Sequence, residues 1–242
     1  MEALSKAKQK WIRSLHLKKN REAEQVFVVE GEKMVLEGLA LANSELLLLV
    51  VHNEHIAMIP DNFLENAFSA NSKELEQLSA LTTPNKLIAV FKRAHKTIQA
   101  NLFTLVLDGI QDPGNMGTIL RLADWFGIQQ VVCSKDTVDC YNEKVIQASM
   151  GAIFRIPVFY THLPAFLDES SQQKFGAMLN GEHYKSVVYP KDAILIMGNE
   201  GKGVRPEVQE YIDVNITIPR YGEAESLNVA TATAILLAEI IQ

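Results

Sequence analysis

Apolar residues in the first hundred positions follow both strand and helix spacings. Continuous apolar runs at 24–31, 45–51 and 86–92 predict short strands, because they are rich in Val, Leu, Ile and Phe. The stretches 32–42 and 72–81 carry apolar residues three and four positions apart, which predicts helices between those strands. This mixture predicts a small α/β domain over residues 1–95, followed by a linker at 96–101 that has no apolar periodicity.

From residue 102 onward, apolar runs alternate regularly with helical stretches. The alternation predicts a parallel sheet covered by helices on both faces, forming a second domain over residues 102–242. Ligands of such sheets bind beyond the carboxyl ends of the strands, so the loops there are the ones to inspect. Strands are predicted at 102–109, 128–134, 155–160, 175–180, 193–198 and 214–219, and helices at 116–127, 142–152 and the C-terminal end.

Charge changes this picture mainly at the N-terminal end of the chain. The net charge of the 242 residues is -6, with 13 basic and 12 acidic side chains in residues 1–100 and 10 and 17 in residues 101–242. The first 21 residues nevertheless hold seven basic side chains against Glu2 alone. Two interpretations stay open: contact with a polyanion, or an ordinary helix with lysines on its solvated face.

Several classes of protein are disfavoured by what the composition lacks. Cys133 and Cys140 are the only cysteines, so neither a disulfide framework nor a zinc site is indicated, and a reducing cytoplasm is expected. No apolar run reaches the length of a membrane span. His52 and His55 have no third His or Cys at a supporting spacing, so no metal is expected.

The loop after the first strand of the second domain contains Pro-Gly and a carboxamide. In "LDGIQDPGN", Asn115 is the predicted N-cap of the next helix. Arg121 follows six residues later and either reaches back toward this loop or pairs with Asp124 or Asp108.

Two further strand ends carry glycine, carboxamide and carboxylate groups. "IMGNEGKGV" places Glu200 among three glycines, which is costly unless the carboxylate is solvated or paired. "IPRYGEAESLN" ends in Ser226, the predicted N-cap of the last helix, and Asn228, which can bond another free N–H. None of the three loops carries the glycine pattern of a dinucleotide fold or a P-loop NTPase.

Together, the three loops resemble the three ordered motifs of the SpoU (TrmH-type) branch of the SPOUT RNA methyltransferases. The matching stretches are "DPGNMGTILR", "IMGNEGKGV" and "IPRYGEAESLNVATATAILLAE", and the resemblance covers residues 102–242. The preceding α/β unit resembles the ribosomal-protein-like substrate-binding domain that often precedes this catalytic domain, most clearly in "VFVVEGEKMVLEGL".

The resemblance implies an S-adenosylmethionine-dependent ribose 2′-O-methyltransferase acting on structured rRNA or tRNA. It also implies a SPOUT-type α/β fold with a deep C-terminal trefoil knot, and a homodimer formed through the catalytic domain. Arg121 is often assigned as the base, but a guanidinium is more suited to gripping a phosphate or a developing alkoxide. The implied catalytic positions are Asn115, Arg121, Glu200, Ser226 and Asn228; the cofactor-binding positions are Leu179, Gly181, Met197, Gly198, Gly201, Ile218, Pro219 and Leu227; and the RNA-binding positions are Lys6, Lys10, Arg13, Lys18, Lys19 and Arg21.

Two alternatives compete with this hypothesis. A non-catalytic RNA-binding or ribosome-assembly protein would retain the fold and use the same basic start, although Arg121, Glu200 and Asn228 are all present. A nucleotide-binding oxidoreductase is disfavoured because the glycine fingerprint of that class is missing.

Overall fold

The computed structural model describes residues 1–41, 45–81, 83 and 85–241. Most predicted elements lie within a few residues of observed ones, although the last residue of the predicted helix 32–42, Ala42, lies outside the described part. Pattern reading did not identify the short strands β1 and β4 or the helices α7 and α8. In chain order the elements are β1 (Glu2–Ala3), α1 (Lys6–Ser14), α2 (Lys18–Glu24), β2 (Val26–Glu30), α3 (Glu32–Ala40), β3 (Leu46–His52), β4 (Ala67–Ala70), α4 (Ser72–Leu78), β5 (Leu87–Lys92), β6 (Thr104–Leu107), α5 (Pro113–Trp125), β7 (Gln130–Ser134), α6 (Glu143–Ser149), β8 (Val158–Thr161), α7 (Leu163–Glu169), β9 (Lys174–His183), β10 (Ile194–Met197), α8 (Pro206–Gln209), β11 (Val214–Thr217) and α9 (Val229–Ile240).

The chain divides into two compact units, and the first comprises residues 1–95 together with 141–154. Its five-stranded sheet has the order β1-β4-β3-β5-β2, with β5 antiparallel to both β2 and β3 and the remaining pairs parallel. One face of the sheet packs against α1 and α4 through buried aliphatic side chains. The core on this face includes Ile12, Leu15, Val50, Leu75, Leu78 and Val90.

The other face of the first sheet is aromatic, and the segment 141–154 covers it. The Phe27 ring lies 4.9 Å from Tyr141 and 5.6 Å from Phe154, measured between ring centroids. Gln147 of α6 donates a 2.8 Å hydrogen bond to the Glu30 carbonyl. The predicted domain division placed 141–154 in the second domain, whereas the structure places it in the first unit. Periodicity predicted the helix, but it carries no information about which sheet the helix covers.

The second unit comprises residues 96–140 and 155–241 of the described chain. Its six-stranded sheet has the order β11-β9-β10-β6-β7-β8, and every neighbouring pair is parallel, as the alternation predicted. The central strands β6, β7 and β10 are buried along their whole length, because helices cover both faces. Residues of the predicted linker belong to this unit, since Gln99 and Gln130 exchange hydrogen bonds of 2.9 and 2.8 Å.

Candidate active site at the strand ends

Parallel pairing brings the ends of the central strands to the same level. Met197 at the end of β10 is opposite Leu107 at the end of β6, and Leu107 is opposite Cys133 near the end of β7. The loops that follow these strands therefore start from one edge of the sheet, as expected for ligand-binding loops of parallel sheets.

Asn115 connects three loops that are far apart in the sequence. Its Nδ2 donates a 2.8 Å hydrogen bond to Glu200 Oε1, and its Oδ1 accepts a 2.8 Å bond from Asn228 Nδ2. Asn115 and Glu200 are half-buried and Asn228 is exposed. Three of the five predicted catalytic residues thus lie in one continuous hydrogen-bond chain.

Both predicted N-caps near this chain are wrong by a few residues. The cap of α5 is Asp112, whose carboxylate accepts a 2.7 Å bond from the Asn115 amide, and Pro113 follows at the first helical position. The cap of α9 is Asn228, whose Oδ1 accepts from the Ala230 and Thr231 amides, while Ser226 lies in the exposed loop before it. The capping by Asp112 leaves the Asn115 side chain available for the tertiary bonds.

The loop after β10 folds back on itself and presents Glu200. Asn199 and Gly203 exchange backbone hydrogen bonds of 3.0 and 2.9 Å, and the Asn199 carboxamide accepts from the backbone amides of Gly201 and Lys202. Gly198 is required at the base of the loop, because a Cβ there would overlap the backbone of Gly203. The carboxamide Nδ2 of Asn199 also donates a 2.8 Å bond to a carbonyl of the neighbouring loop, that of Gly109.

Neither suggested acidic partner of Arg121 pairs with it. Asp124 is bound by Arg155 at 2.7 Å, and the fully buried Asp108 is bound by Arg205. Arg121 is exposed, and no described residue makes a hydrogen bond or an ion pair with its guanidinium. The structure therefore does not include Arg121 in the Asn115 hydrogen-bond chain.

The predicted cofactor positions on β9 lie beside the C-terminal end of β11. The Leu179 carbonyl accepts a 3.0 Å hydrogen bond from Thr217, the residue before Ile218 and Pro219. A Cβ on Gly181 would lie 2.5 Å from the Asn215 carbonyl oxygen, so the strands approach each other closely there. Leu179 and Leu227 are 77% and 47% exposed, which leaves apolar surface for an aromatic ligand. Apolar side chains beside closely spaced backbone can hold the adenine ring of S-adenosylmethionine, the cofactor that the family resemblance implies.

Family models match both parts of the chain. The model of the SpoU rRNA methylase family matches residues 102–238, which is more than half of the chain. Residues 6–89 match the MRM3-like substrate binding domain. A relative from Bacillus subtilis named 23S rRNA (guanosine(2553)-2′-O)-methyltransferase is 35% identical, and the match covers 98% of this chain and 97% of the relative.

The chain belongs to the SpoU rRNA methylase family.

Solved structures support the same assignment over both units. An RNA methyltransferase structure assigned to the TrmH family, from Porphyromonas gingivalis, is similar with a TM-score of 0.88 and 38% identity, over 98% of this chain and 97% of that one. An AdoMet-bound rRNA methyltransferase from Sinorhizobium meliloti gives a TM-score of 0.87 at 28% identity, over 99% and 95%. The predicted family, the α/β parallel fold, RNA 2′-O-methyl transfer and the use of S-adenosylmethionine are thereby confirmed.

Five of the six basic residues assigned to RNA binding are exposed on the first two helices of this SpoU methylase. They are Lys6, Lys10, Arg13, Lys18 and Lys19. Arg21 is a correction: it is only 3% exposed, and its guanidinium donates to the carbonyls of Leu15 and His16 at 2.8 and 2.9 Å. Arg21 holds the turn between the helices together and cannot reach RNA from this position.

His52, Glu54 and His55 bring three metal-ligand atoms within 4.8 Å of one another. The third potential ligand is a glutamate, whereas the prediction of no metal rested on the absence of a third His or Cys. However, Lys86 Nζ lies 2.8 Å from His55 Nε2, so a positive charge already faces this group.

No helix among the described residues is both long and apolar enough to cross a membrane.

Proposed function

We propose that this SpoU methylase methylates the ribose 2′-hydroxyl of a guanosine in 23S rRNA. The relative named for that reaction aligns with both units, whereas many other matches cover only part of the chain. The observation that carries the proposal is the bridge from Asn115 to Glu200 and Asn228, because it joins residues from all three motifs in one place.

The reaction requires the 2′-hydroxyl to be oriented and to lose its proton during attack. S-adenosylmethionine, when bound, supplies the electrophilic methyl group on its sulfonium. Asn115 fixes Oε1 of Glu200, while Oε2 has no hydrogen-bond partner among the described residues. We assign to Oε2 the role of accepting the hydrogen bond, and then the proton, of the ribose hydroxyl.

Arg121 and the loop before α9 are proposed to hold the nucleotide around that hydroxyl. The exposed guanidinium of Arg121 is free to grip the adjacent phosphate bidentately and to stabilise the developing alkoxide. Ser226 is exposed in the same loop as Asn228 and can donate to the ribose or the phosphate. Arg121→Ala is expected to lower RNA affinity as well as turnover, since a phosphate contact acts on both.

We place the methyl donor among the backbone segments in the second half of β9 and at the ends of β10 and β11. The set is Leu179, Gly181, Met197, Gly198, Gly201, Ile218, Pro219 and Leu227. Support comes from the close backbone approach at Gly181 and Gly198 and from the exposure of the apolar side chains of Leu179 and Leu227. The C-terminal trefoil knot implied by the family resemblance is part of this proposal.

We further propose a homodimer formed through the second unit, and a location in the cytoplasm, where ribosomal RNA is available. Several large apolar side chains of the second unit are mostly exposed to solvent. The exposed fractions are 83% for Trp125, 89% for Val188 and 94% for Tyr221. Burial of such side chains in a subunit interface would be favourable, because it removes apolar surface from water. Sedimentation equilibrium should give twice the chain mass, and a monomer at micromolar concentration would contradict this part.

The test is methyl transfer from tritiated S-adenosylmethionine to 23S rRNA transcripts and, in parallel, to tRNA. Label at a single guanosine of 23S rRNA, mapped by 2′-O-methyl-sensitive primer extension, is the expected result. Label in tRNA alone would overturn the assigned substrate. Tight RNA binding with no transfer to any RNA would favour the alternative of a non-catalytic assembly protein. Titration with NAD and with S-adenosylmethionine in a calorimeter distinguishes the oxidoreductase, which should bind NAD.

A further inference from the structure

A buried carboxylate lies at the strand end from which the first loop of the candidate active site starts. Asp108, the residue after β6, is completely buried, and burial of a carboxylate is costly unless hydrogen bonds and a counter-charge compensate it. Arg205 supplies both: its backbone amide and its Nε each donate 2.8 Å bonds to the Asp108 carboxylate, and its Nη2 also bonds Oδ1.

Arg205 reaches three strand-end loops at once. It belongs to the loop after β10, it binds Asp108 after β6, and its Nη2 lies 3.4 Å from Asp136 Oδ1 after β7. The hydrogen bond to Asp108 raises the pKa of the Arg205 guanidinium. The pKa of Asp136 is lowered even though burial raises it, because bonds from Ser134 and its own backbone and the charge of Arg205 outweigh that effect.

The loop that carries Glu200 is fixed on both sides of this residue. On one side, Asn199 donates to the Gly109 carbonyl at 2.8 Å. On the other side, Arg205 grips Asp108, the residue next to Gly109. The helix with Asn115, the partner of Glu200, begins a few residues after the same strand end. The two attachments of the Glu200 loop and the start of the Asn115 helix therefore share one strand end.

We propose that Arg205 and Asp108 are a positioning pair for methyl transfer, holding Glu200 against Asn115. This inference rests on the proposed role of Glu200. The pair acts through the loop, since Asp108 is fully buried and has no access to RNA or cofactor. Sequence reading missed Arg205 because it lies just beyond the glycine-rich stretch and looks like an ordinary helix-start residue.

Arg205→Lys tests the pair, because lysine keeps the charge but loses the planar fork that binds two sites. Turnover (kcat) should fall by about 10-fold or more, with the RNA KM changed by less than about 3-fold, because a misplaced Glu200 affects reaction more than binding. The matched control is Arg155→Lys. Arg155 binds Asp124 through Nε and Nη2 at 2.8 and 2.7 Å, and its side chain is 34% exposed against 36% for Arg205.

The control pair lies outside the three motif loops, so Arg155→Lys should lower the melting temperature and leave kcat unchanged. An equal fall of kcat in both variants would overturn the proposal, because general loosening of the unit would then explain the effect. Unchanged kcat in Arg205→Lys would overturn it as well.

A double-mutant cycle with Glu200→Gln identifies the residue through which the pair acts. If Arg205 positions Glu200, then Arg205→Lys should cost less than about 2-fold in the Glu200→Gln background, because the positioned group is already lost. The same 10-fold loss in both backgrounds would contradict the inference. Wild-type turnover in Glu200→Gln alone would instead refute the role of Glu200, and an inactive wild type would refute the function.

A second variant keeps the inference testable if Arg205→Lys does not fold. Combining Asp108→Asn with Arg205→Gln removes both charges and leaves no buried ion without a partner. The amide oxygen of the new side chain still accepts from the backbone amide at 205. This double variant should show the same loss of kcat, and the loss should be absent when Glu200→Gln is also present. Full activity of the double variant would overturn the proposal.

Discussion

Asn115→Ala isolates the bridge at the active site, because the helix that carries Asn115 does not depend on its side chain. The cap is Asp112, which bonds the Asn115 backbone amide, and this bond survives the substitution. Alanine also has a higher helix propensity than asparagine. The helix should therefore stay folded, and the loss in the free energy of unfolding should not exceed the value of the two side-chain hydrogen bonds, together about 2–4.5 kcal/mol.

The expected loss of activity follows from the two hydrogen bonds. The bond to the Glu200 carboxylate is worth about 1.5–3 kcal/mol and the neutral bond from Asn228 about 0.5–1.5 kcal/mol. If about 3 kcal/mol of this hydrogen-bond free energy is used to position the reacting groups, its loss lowers kcat by roughly 100-fold, because each 1.36 kcal/mol corresponds to a factor of ten in rate. Asn115→Asp should be at least as inactive, because it places an oxygen opposite the Glu200 oxygen.

The assay is initial-rate transfer of labelled methyl at saturating RNA and cofactor, with thermal unfolding of each variant. Asn142→Ala is the matched control, since Asn142 caps α6 with its side chain and lies outside the three motif loops. It should lose about 1 kcal/mol of stability and no activity. Turnover of Asn115→Ala within about 3-fold of wild type would refute the reasoning, because the bridge would then contribute less than about 0.7 kcal/mol.

Further predictions concern the cofactor and RNA sites. Gly198→Ala should abolish S-adenosylmethionine binding in calorimetry, because the new Cβ would overlap the Gly203 backbone. The control is Gly127→Ala, at a glycine that has positive φ and no atom close to the new Cβ. It should lose about 1 kcal/mol of stability and bind the cofactor normally. Unchanged affinity in Gly198→Ala would remove this glycine from the site. Replacing Lys6, Lys10 and Arg13 by Gln should weaken RNA binding and reduce the salt slope by about 2 to 3, while Lys73→Gln should not. An unchanged slope would mean that these side chains are merely solvated.

Arg21 and Lys18 differ in exposure, which a charge pattern in the sequence does not predict. Both belong to the same basic run, yet Arg21 is buried and bonds two backbone carbonyls whereas Lys18 is exposed. Charge is a property of the residue type, but exposure depends on which way the helix turns its side chains. Sequence therefore predicted a basic N-terminal region and could not select its accessible members.

The segment 141–154 illustrates the same limit at the level of domains. Its helical periodicity was correctly predicted, and its aromatic partners Phe27 and Phe91 lie more than fifty residues earlier in the chain. A division of the sequence into two continuous stretches cannot assign 141–154 to the first unit, because residues of the second unit precede and follow this segment.

The sequence by itself determined the alternation of strands and helices, the family and the three loops that hold the candidate site, because periodicity and motif residues are local properties. Only the tertiary structure decided that Asp112 and Asn228 cap the helices, that Asn115 bridges Glu200 and Asn228, and that Arg205 binds Asp108. Each of these pairings depends on strand register and loop closure. The sheet brings together groups about one hundred residues apart, and hydrogen-bond geometry then selects among several polar residues of similar chemistry.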